Sequence, residues 1–282
     1  MNCRITASVV IYNSPEVQLT RLLASIQRSS LRLETYIIDN SPFPVDRPCH
    51  HLPGVTYIRA EKNSGYGAGH NVALRKAIES SDFHLVLNPD IYFEPHELGK
   101  MIRFIAIDPS IGQLMPKVIY PDGSLQYLCK LLPTPTDLML RRFTVGPLRA
   151  LGRLSMERFE LRHSGYDRVM DVPCLSGCFM LFRISALRQI GLFDERFFMY
   201  MEDFDLTRRM HAQFRTVFYP DSIVVHDHAK ESYRSGRALW VHIRNAIKYF
   251  NKWGWFYDPG RTRFNEETLR RINDFHSSAG DV

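Results

Sequence analysis

A chain of 282 residues that is 45% hydrophobic and 23% charged is not a disordered, collagenous or repeat protein, and it is long enough to bury a core without disulfides or metal. Its 36 basic and 30 acidic residues leave a formal charge of +6, unevenly placed: residues 128–168 carry +4, residues 230–263 carry +6 and the remainder −4. Clustered positive charge suits an anionic partner (nucleic acid, a phosphate-bearing ligand or an anionic membrane) or is simply a solvated basic face.

The start, Met1-Asn2-Cys3-Arg4-Ile5, lacks the apolar core of a signal peptide, and no window reaches the ~20 apolar residues of a membrane span. Cys3, Cys49, Cys129, Cys174 and Cys178 form no disulfide framework; Cys174 and Cys178 are spaced C-x3-C, but no second ligand pair sits at zinc spacing. They read as free thiols in a reducing cytoplasm.

Strand and helix alternate through the first half. Residues 7–12 form a β-rich run ending at Asn13-Ser14-Pro15, and Leu19, Leu22, Leu23 and Ile26 then recur at helical spacing. A second strand, 36–38, ends at Asp39-Asn40-Ser41-Pro42, and a third covers 55–58. A glycine-rich turn leads into a helix over 68–80, followed by a strand at 84–87 and a helix over 94–107. This order predicts a parallel sheet with helical crossovers, whose ligands bind at the carboxyl ends of strands. Asn13, Asp39 and Asp90 stand at such ends.

Residues 128–170 lose this rhythm and read as an insertion, helical near 148–161. Order returns with a strand at 179–182, a helix from Glu202 to about 213, and strands at 215–219 and 222–225. The last clear element is a helix over 234–253. Leu239, Ile243, Ala246, Ile247 and Phe250 fall on one side, and Arg234, Arg237, Arg244, Lys248 and Lys252 on the other. The expectation is an apolar face on the core and a basic face toward solvent, phosphate or membrane.

Four clusters can carry chemistry. Asn63-Ser64-Gly65-Tyr66-Gly67-Ala68-Gly69-His70-Asn71 follows a strand and opens a helix. It is either a tight turn or a set of backbone N–H groups that meets a phosphate. The dinucleotide fingerprint would need glycine where His70 stands, and no P-loop lysine follows. Asn88-Pro89-Asp90 ends a buried strand, where an aspartate can hold a divalent cation against a diphosphate or merely close a turn. Between Phe193 and Leu206, aromatics and methionines bracket five acidic residues. That setting perturbs carboxyl pKa values, although Glu202 and Asp203 also suit a helix N-terminus. His226-Asp227-His228 follows an apolar strand, as a packed histidine or a partner of Asp90 on Mg²⁺ or Mn²⁺.

In order and spacing these clusters resemble inverting family-2 glycosyltransferases of GT-A fold, most of all bacterial rhamnosyltransferase-type members. Ser8-Val9-Val10-Ile11-Tyr12-Asn13, Ile37-Ile38-Asp39-Asn40-Ser41, Ser176-Gly177-Cys178 and Val224-Val225-His226 complete the match. The resemblance implies an α/β fold with a Rossmann-like, mostly parallel central sheet flanked by helices, a helical insertion and a C-terminal amphipathic helix. It implies a catalytic domain over 1–230, with 128–170 as its variable insertion, and a C-terminal helical segment over 231–282. It further implies Asp203, within the Glu202-Asp203 pair, as catalytic base. Tyr12, Asn13, Asp39, Asn63, Gly69, Asn71, Asn88 and Asp90 would bind the nucleotide-sugar, and Asp90 with His226 would hold Mg²⁺ or Mn²⁺. Asn88 stands where the family's D-x-D motif has its first aspartate. The implied donor is dTDP-L-rhamnose, or else another dTDP- or UDP-sugar. The implied acceptor is a lipid-linked glycan of bacterial surface polysaccharide, of O-antigen or capsule type. The enzyme would be cytoplasmic and peripheral on the inner face of the plasma membrane, against its anionic surface. Two other classes are weaker. A nucleotide-binding oxidoreductase needs a fingerprint that is misplaced here, and a nucleic-acid-binding module leaves the acidic aromatic cluster unused.

Overall fold

The computed structural model describes residues 3–143, 149–227 and 236–279. Its first half follows the predicted alternation: β1 (Ile5–Ile11), α1 (Glu16–Arg28), β2 (Leu33–Asp39), β3 (Val55–Arg59), α2 (Tyr66–Ser80) and β4 (Phe83–Leu87). β1 and β4 are buried along almost their whole length, as parallel strands covered on both faces by helices must be. Leu19, Leu22, Leu23 and Ile26 are the apolar stripe that seats α1 on the sheet.

The chain continues through β5 (Ile91–Phe93), α3 (Glu97–Ile107), β6 (Ile111–Ile119), β7 (Cys129–Lys130), α4 (Pro135–Phe143) and α5 (Arg149–Phe159). Then come β8 (Met170–Asp171), β9 (Cys174–Leu175), β10 (Phe179–Arg183), α6 (Ile184–Ile190), α7 (Glu202–His211), β11 (Arg215–His226), α8 (Gly236–Trp253) and α9 (Pro259–Ala279). Among the described residues nine strands make one sheet in the order β3-β2-β1-β4-β10-β6-β11-β5, with β8 also on β11; β7 and β9 pair apart. The β3-β2-β1-β4 block is parallel, as is β6 with β11, whereas β10 runs antiparallel to both its neighbours. The result is a mixed α/β sheet flanked by helices, parallel in the half that carries the first ligand-edge residues.

Three expectations change. β6 went unread because Gly112, Gln113 and Pro116 interrupt its apolar pattern, yet it is almost wholly buried. The strands expected at 215–219 and 222–225 are one strand, β11. Its register slips between Tyr219 and Ile223, opposite Pro116, where β6 lacks an N–H for the ladder. α8 is turned about its axis relative to the expected packing. Asn245, Tyr249 and Phe250 face the core, while Ile243 and Ile247 are exposed. Lys252, expected outside, points inward and lies 2.8 Å from Asp194 and 2.6 Å from Asp205. Arg234, the Arg237 side chain and His228 lie outside the described residues. All five cysteines are free thiols.

Candidate active site

The parallel block brings the ends of β1, β2 and β4 to one sheet edge. Asn40 N–H donates to the Ile11 carbonyl at 2.9 Å, and Asn13 N–H donates to Ser41 Oγ at 2.8 Å, so the first two loops are stitched together. Asn13 adopts φ +50°, a left-handed turn that asparagine tolerates well. Asp39 is buried: its Oδ1 accepts from Ser41 N–H and its Oδ2 from the Tyr57 hydroxyl, each at 2.8 Å. Tyr12 beside them is half exposed.

The glycine turn packs the start of α2 into the loop before α7. Tyr66 N–H donates to the Phe198 carbonyl at 2.9 Å, and Asn63 Oδ1 accepts from Gly65 N–H at 3.0 Å. A Cβ on Gly67 would lie 2.9 Å from Phe193 Cβ, and one on Gly69 2.7 Å from Val10 Cγ2, so both glycines are dictated by close approach. Asn71 is buried and clamps the same loop. Its amide donates to the Phe193 carbonyl and Glu195 Oε1 at 2.9 Å, and its carbonyl accepts from Phe193 N–H. The turn therefore has a packing duty that accounts for Gly67, Gly69 and Asn71.

A cleft of about 700 Å³ opens where the Ser176–Cys178 loop, the start of α7 and the end of β11 meet. Glu202, Asp203, Asn88 and His226 line it, with Tyr66, Lys130 and His242. The Tyr66 hydroxyl donates to the Gly177 carbonyl at 2.6 Å, and Gly177 N–H donates to Asp203 Oδ2 at 3.1 Å. This chain of contacts ties the glycine turn to Asp203. Asp203 Oδ1 accepts from Phe204 N–H at 2.9 Å, while Glu202 Oε2 is buried with no partner.

Of the five acidic residues between 193 and 206, three are neutralised. Asp194 pairs with Arg196 and Lys252, Glu195 with Arg75, and Asp205 with Arg209 and Lys252. Among the described residues no salt bridge reaches Glu202 or Asp203, so the cleft holds the two carboxyls of the cluster that lack an ion-pair partner in contact. Burial, and then the charge of Asp203, push Glu202 up to about 8. Burial raises Asp203 as well, and Lys130 pulls it back down.

Asp90 and His226 meet beside this pair. His226 Nε2 lies 3.3 Å from Asp90 Oδ1 and 3.4 Å from Asn88 Nδ2. Gln126 fixes the ring: its Nε2 donates to the His226 carbonyl at 2.8 Å, which leaves its Oε1 to accept from Nδ1 at 2.9 Å. Nδ1 thus carries a proton, and Nε2 faces Asp90. Burial opposes charge on the ring, but the Cys178 sulfur and Asp90 outweigh it and raise His226 above its ordinary value. Asp90 Oδ1 is buried without a well-formed hydrogen bond. These groups fit a divalent cation as two ligands of an incomplete shell. Among the described residues no group of three or more His, Cys, Asp or Glu side chains could hold one alone. Mg²⁺ and Mn²⁺ commonly complete such shells with substrate phosphate oxygens and water.

The structure thus brings Asp203, Glu202, Asn88, Asp90 and His226 together, and sets Tyr12, Asn13 and Asp39 on the adjoining part of the strand edge. Sequence reasoning missed Gln126 and Lys130. Gln126 lies 100 residues from His226, and Lys130 sits in an insertion with no readable pattern.

The family model described as "Glycosyltransferase like family 2" matches residues 4–247. An N-acetylglucosaminyl-diphospho-decaprenol L-rhamnosyltransferase of Mycobacterium tuberculosis is 28% identical over 90% of this chain and 87% of its own length. The rhamnosyltransferase WbbL of Escherichia coli is 24% identical over 86% of this chain and 90% of its own. The crystal structure of GalNAc-T7 with UDP, GalNAc and Mn²⁺ superposes with a TM-score of 0.64 at 15% identity, over 89% of this chain. This chain spans about half, 49%, of that longer protein. The shared architecture is the GT-A fold.

Proposed function

The chain belongs to glycosyltransferase family 2, and we propose that it transfers L-rhamnose from dTDP-L-rhamnose to a lipid-diphosphate-linked glycan, with inversion. The observation that carries this reading is the cleft in which the Glu202–Asp203 pair lies beside Asp90 and His226. The rhamnosyl choice draws on the two relatives, and the lipid-linked acceptor on the name of the Mycobacterium tuberculosis one; both are similar over nearly their whole length.

In the proposed reaction Asp203 accepts the proton of the acceptor hydroxyl as its oxygen attacks the anomeric carbon. The bond from that carbon to the diphosphate breaks, and the electron pair leaves with the nucleoside diphosphate. One base and one direct displacement invert the anomeric centre. A retaining hydrolase would instead use two carboxylates flanking the bond. Gly177 N–H and the α7 N-terminus hold Asp203 in place. Asp90 and His226 would hold Mg²⁺ or Mn²⁺, which when bound offsets the charge growing on the departing diphosphate. Asn88, in place of a carboxylate, leaves that cation one anionic ligand fewer. Tyr12, Asn13 and Asp39 take the nucleoside end, and Asn63, Gly69 and Asn71 support the donor pocket through the glycine turn. The acceptor brings the enzyme to a membrane, where it works as a cytoplasmic peripheral protein. Among the described residues no helix is long and apolar enough to cross one.

A donor screen by thermal shift, with and without Mn²⁺, tests the reading, because a ligand that binds only the native state raises its melting point. dTDP-L-rhamnose is expected to give the largest shift. Asp203→Asn is expected to keep that shift while losing transfer by about 10²-fold or more. A larger shift with a UDP-hexose overturns the donor, and wild-type turnover in Asp203→Asn overturns the base.

A further inference from the structure

The helix α8 has two faces that the reaction does not explain together. Its inner face packs on the core through Tyr249 and Phe250, donates from Asn245 Nδ2 to the Met199 carbonyl at 2.8 Å, and contributes Ala238 and His242 to the wall of the cleft. Its outer face carries Trp240, Ile243 and Ile247, which are 74%, 38% and 43% exposed. At ~100° per residue these three lie within about 60° of one another, so they form one apolar stripe. The exposed Arg244 borders the stripe, and α8 contains no acidic residue. Just beyond its C-terminus, Phe256 and Tyr257 are also almost fully exposed.

We propose that α8 is an interfacial helix. It lays Trp240, Ile243 and Ile247 into the surface of an anionic lipid bilayer and so holds the cleft wall about one helix thickness from the membrane. The inference rests on the lipid-linked acceptor of the proposed function.

Four observations choose the bilayer as occupant. A soluble helix buries its apolar residues, and the apolar side of α8 is instead divided, Phe250 going to the core and Ile243 with Ile247 to the outside. A tryptophan flanked by isoleucines and arginine suits the boundary between headgroups and acyl chains, where an amphipathic ring is half solvated. A second copy of the chain fits poorly. A two-fold contact through α8 would set Arg244 and its basic neighbours against themselves, with no carboxylate on the helix to offset them. The face also lies on the opposite side of the helix from Ala238 and His242. A glycan whose lipid stays in the bilayer would therefore have only one helix thickness to cross to the cleft.

The test uses the full chain with vesicles of phosphatidylcholine alone or mixed with phosphatidylglycerol, and its binding arm needs no donor. Wild type is expected to sediment with the anionic vesicles and to stay partly bound at about 0.5 M salt, where screening removes a purely electrostatic contact. Trp240→Ser/Ile247→Ser is expected to lower partitioning about tenfold or more with an unchanged melting temperature. Arg244→Glu, an exposed change, is expected to weaken binding to anionic vesicles only. With acceptor in detergent micelles the double variant should turn over like wild type; with acceptor in vesicles it should be about tenfold slower. Wild type that stays in the supernatant, a double variant that binds as wild type does, or a wild-type dimer that the double variant abolishes would each overturn the proposal. Vesicle binding without rhamnosyl transfer to any acceptor would instead overturn the proposed function and leave the interfacial helix standing.

Discussion

At the scale of single residues, the ionisation of Asp203 decides what the cleft can do. A base must be deprotonated, so activity is lost as pH falls through its pKa. Glu202 and Asp203 are both raised by burial, and they titrate as a pair. The acid limb of kcat/KM should therefore lie above the ordinary carboxylate range of about 4. Lys130, on the cleft wall, is the cation that opposes this rise. Lys130→Met should move the acid limb further up in pH, and Lys130→Arg should restore it. A pH–rate profile unchanged in Lys130→Met would remove Lys130 from the mechanism. Much of this constellation is legible in the chain: the acidic cluster, Asn88-Pro89-Asp90 and His226 all stand out. What stays hidden is which carboxyls have an ion-pair partner. Asp194 has a local partner in Arg196, but Lys252, its second, is 58 positions away and Arg75, the partner of Glu195, is 120 positions away; no local pattern encodes those two pairings.

At the scale of elements, the glycine turn shows how a motif that reads as a ligand loop also serves as a joint. Gly65 has φ +101° and ψ 179°, a region open to glycine almost alone, and a Cβ there would collide with the Phe198 carbonyl. That carbonyl also accepts the Tyr66 N–H that starts α2, so strain at Gly65 reaches the loop before Asp203. Gly65→Ala should lower stability by about 1–3 kcal/mol, the usual cost of forcing such a backbone conformation. It should also reduce both kcat and donor binding, because Gly65 touches the loop before the base and accepts from Asn40 Nδ2 at the nucleoside edge at 3.2 Å. A variant with wild-type stability and rate would show that the joint is slack. The elements most easily read were those whose period survives intact, the parallel strands and α1. β6 and β11 were harder, since a proline in one and a bulge in the other break the alternation. α8 was legible as a helix but not in orientation. Its period identifies an apolar side, whereas its seat is decided by polar contacts of Asn245 with Met199 and of Trp253 with Asp205, 46 and 48 residues away.

At the scale of the whole molecule, the two basic segments are neighbours in space. The insertion and the C-terminal segment meet where Asn265 bonds both the N–H and the carbonyl of Leu132, at 2.8 and 2.9 Å, and where Arg261 donates to the Pro133 carbonyl. The C-terminal segment also reaches the catalytic half directly. Arg208 of α7 and Asp258 form a two-pronged pair at 2.5 and 2.7 Å, both side chains at most 5% exposed, with the guanidinium 4.0 Å above the Trp253 ring. Phe264 and Ile272 of α9 belong to the same buried cluster as the sheet. Buried contacts thus join the expected parts 1–230 and 231–282, and the two are expected to unfold as one unit. Asp258→Ala leaves Arg208 buried without its counter-charge, a loss of about 3–5 kcal/mol. At roughly 2–4 °C per kcal/mol for a chain of this size, the melting point should fall by on the order of 10 °C in a single transition. A fragment ending at residue 230 would expose the Phe204 and Arg208 side of α7, and should fail to give a cooperative transition of its own. Two transitions in the intact chain, or a fragment that melts where the whole chain does, would show that the C-terminal helices only rest on a catalytic domain that folds without them.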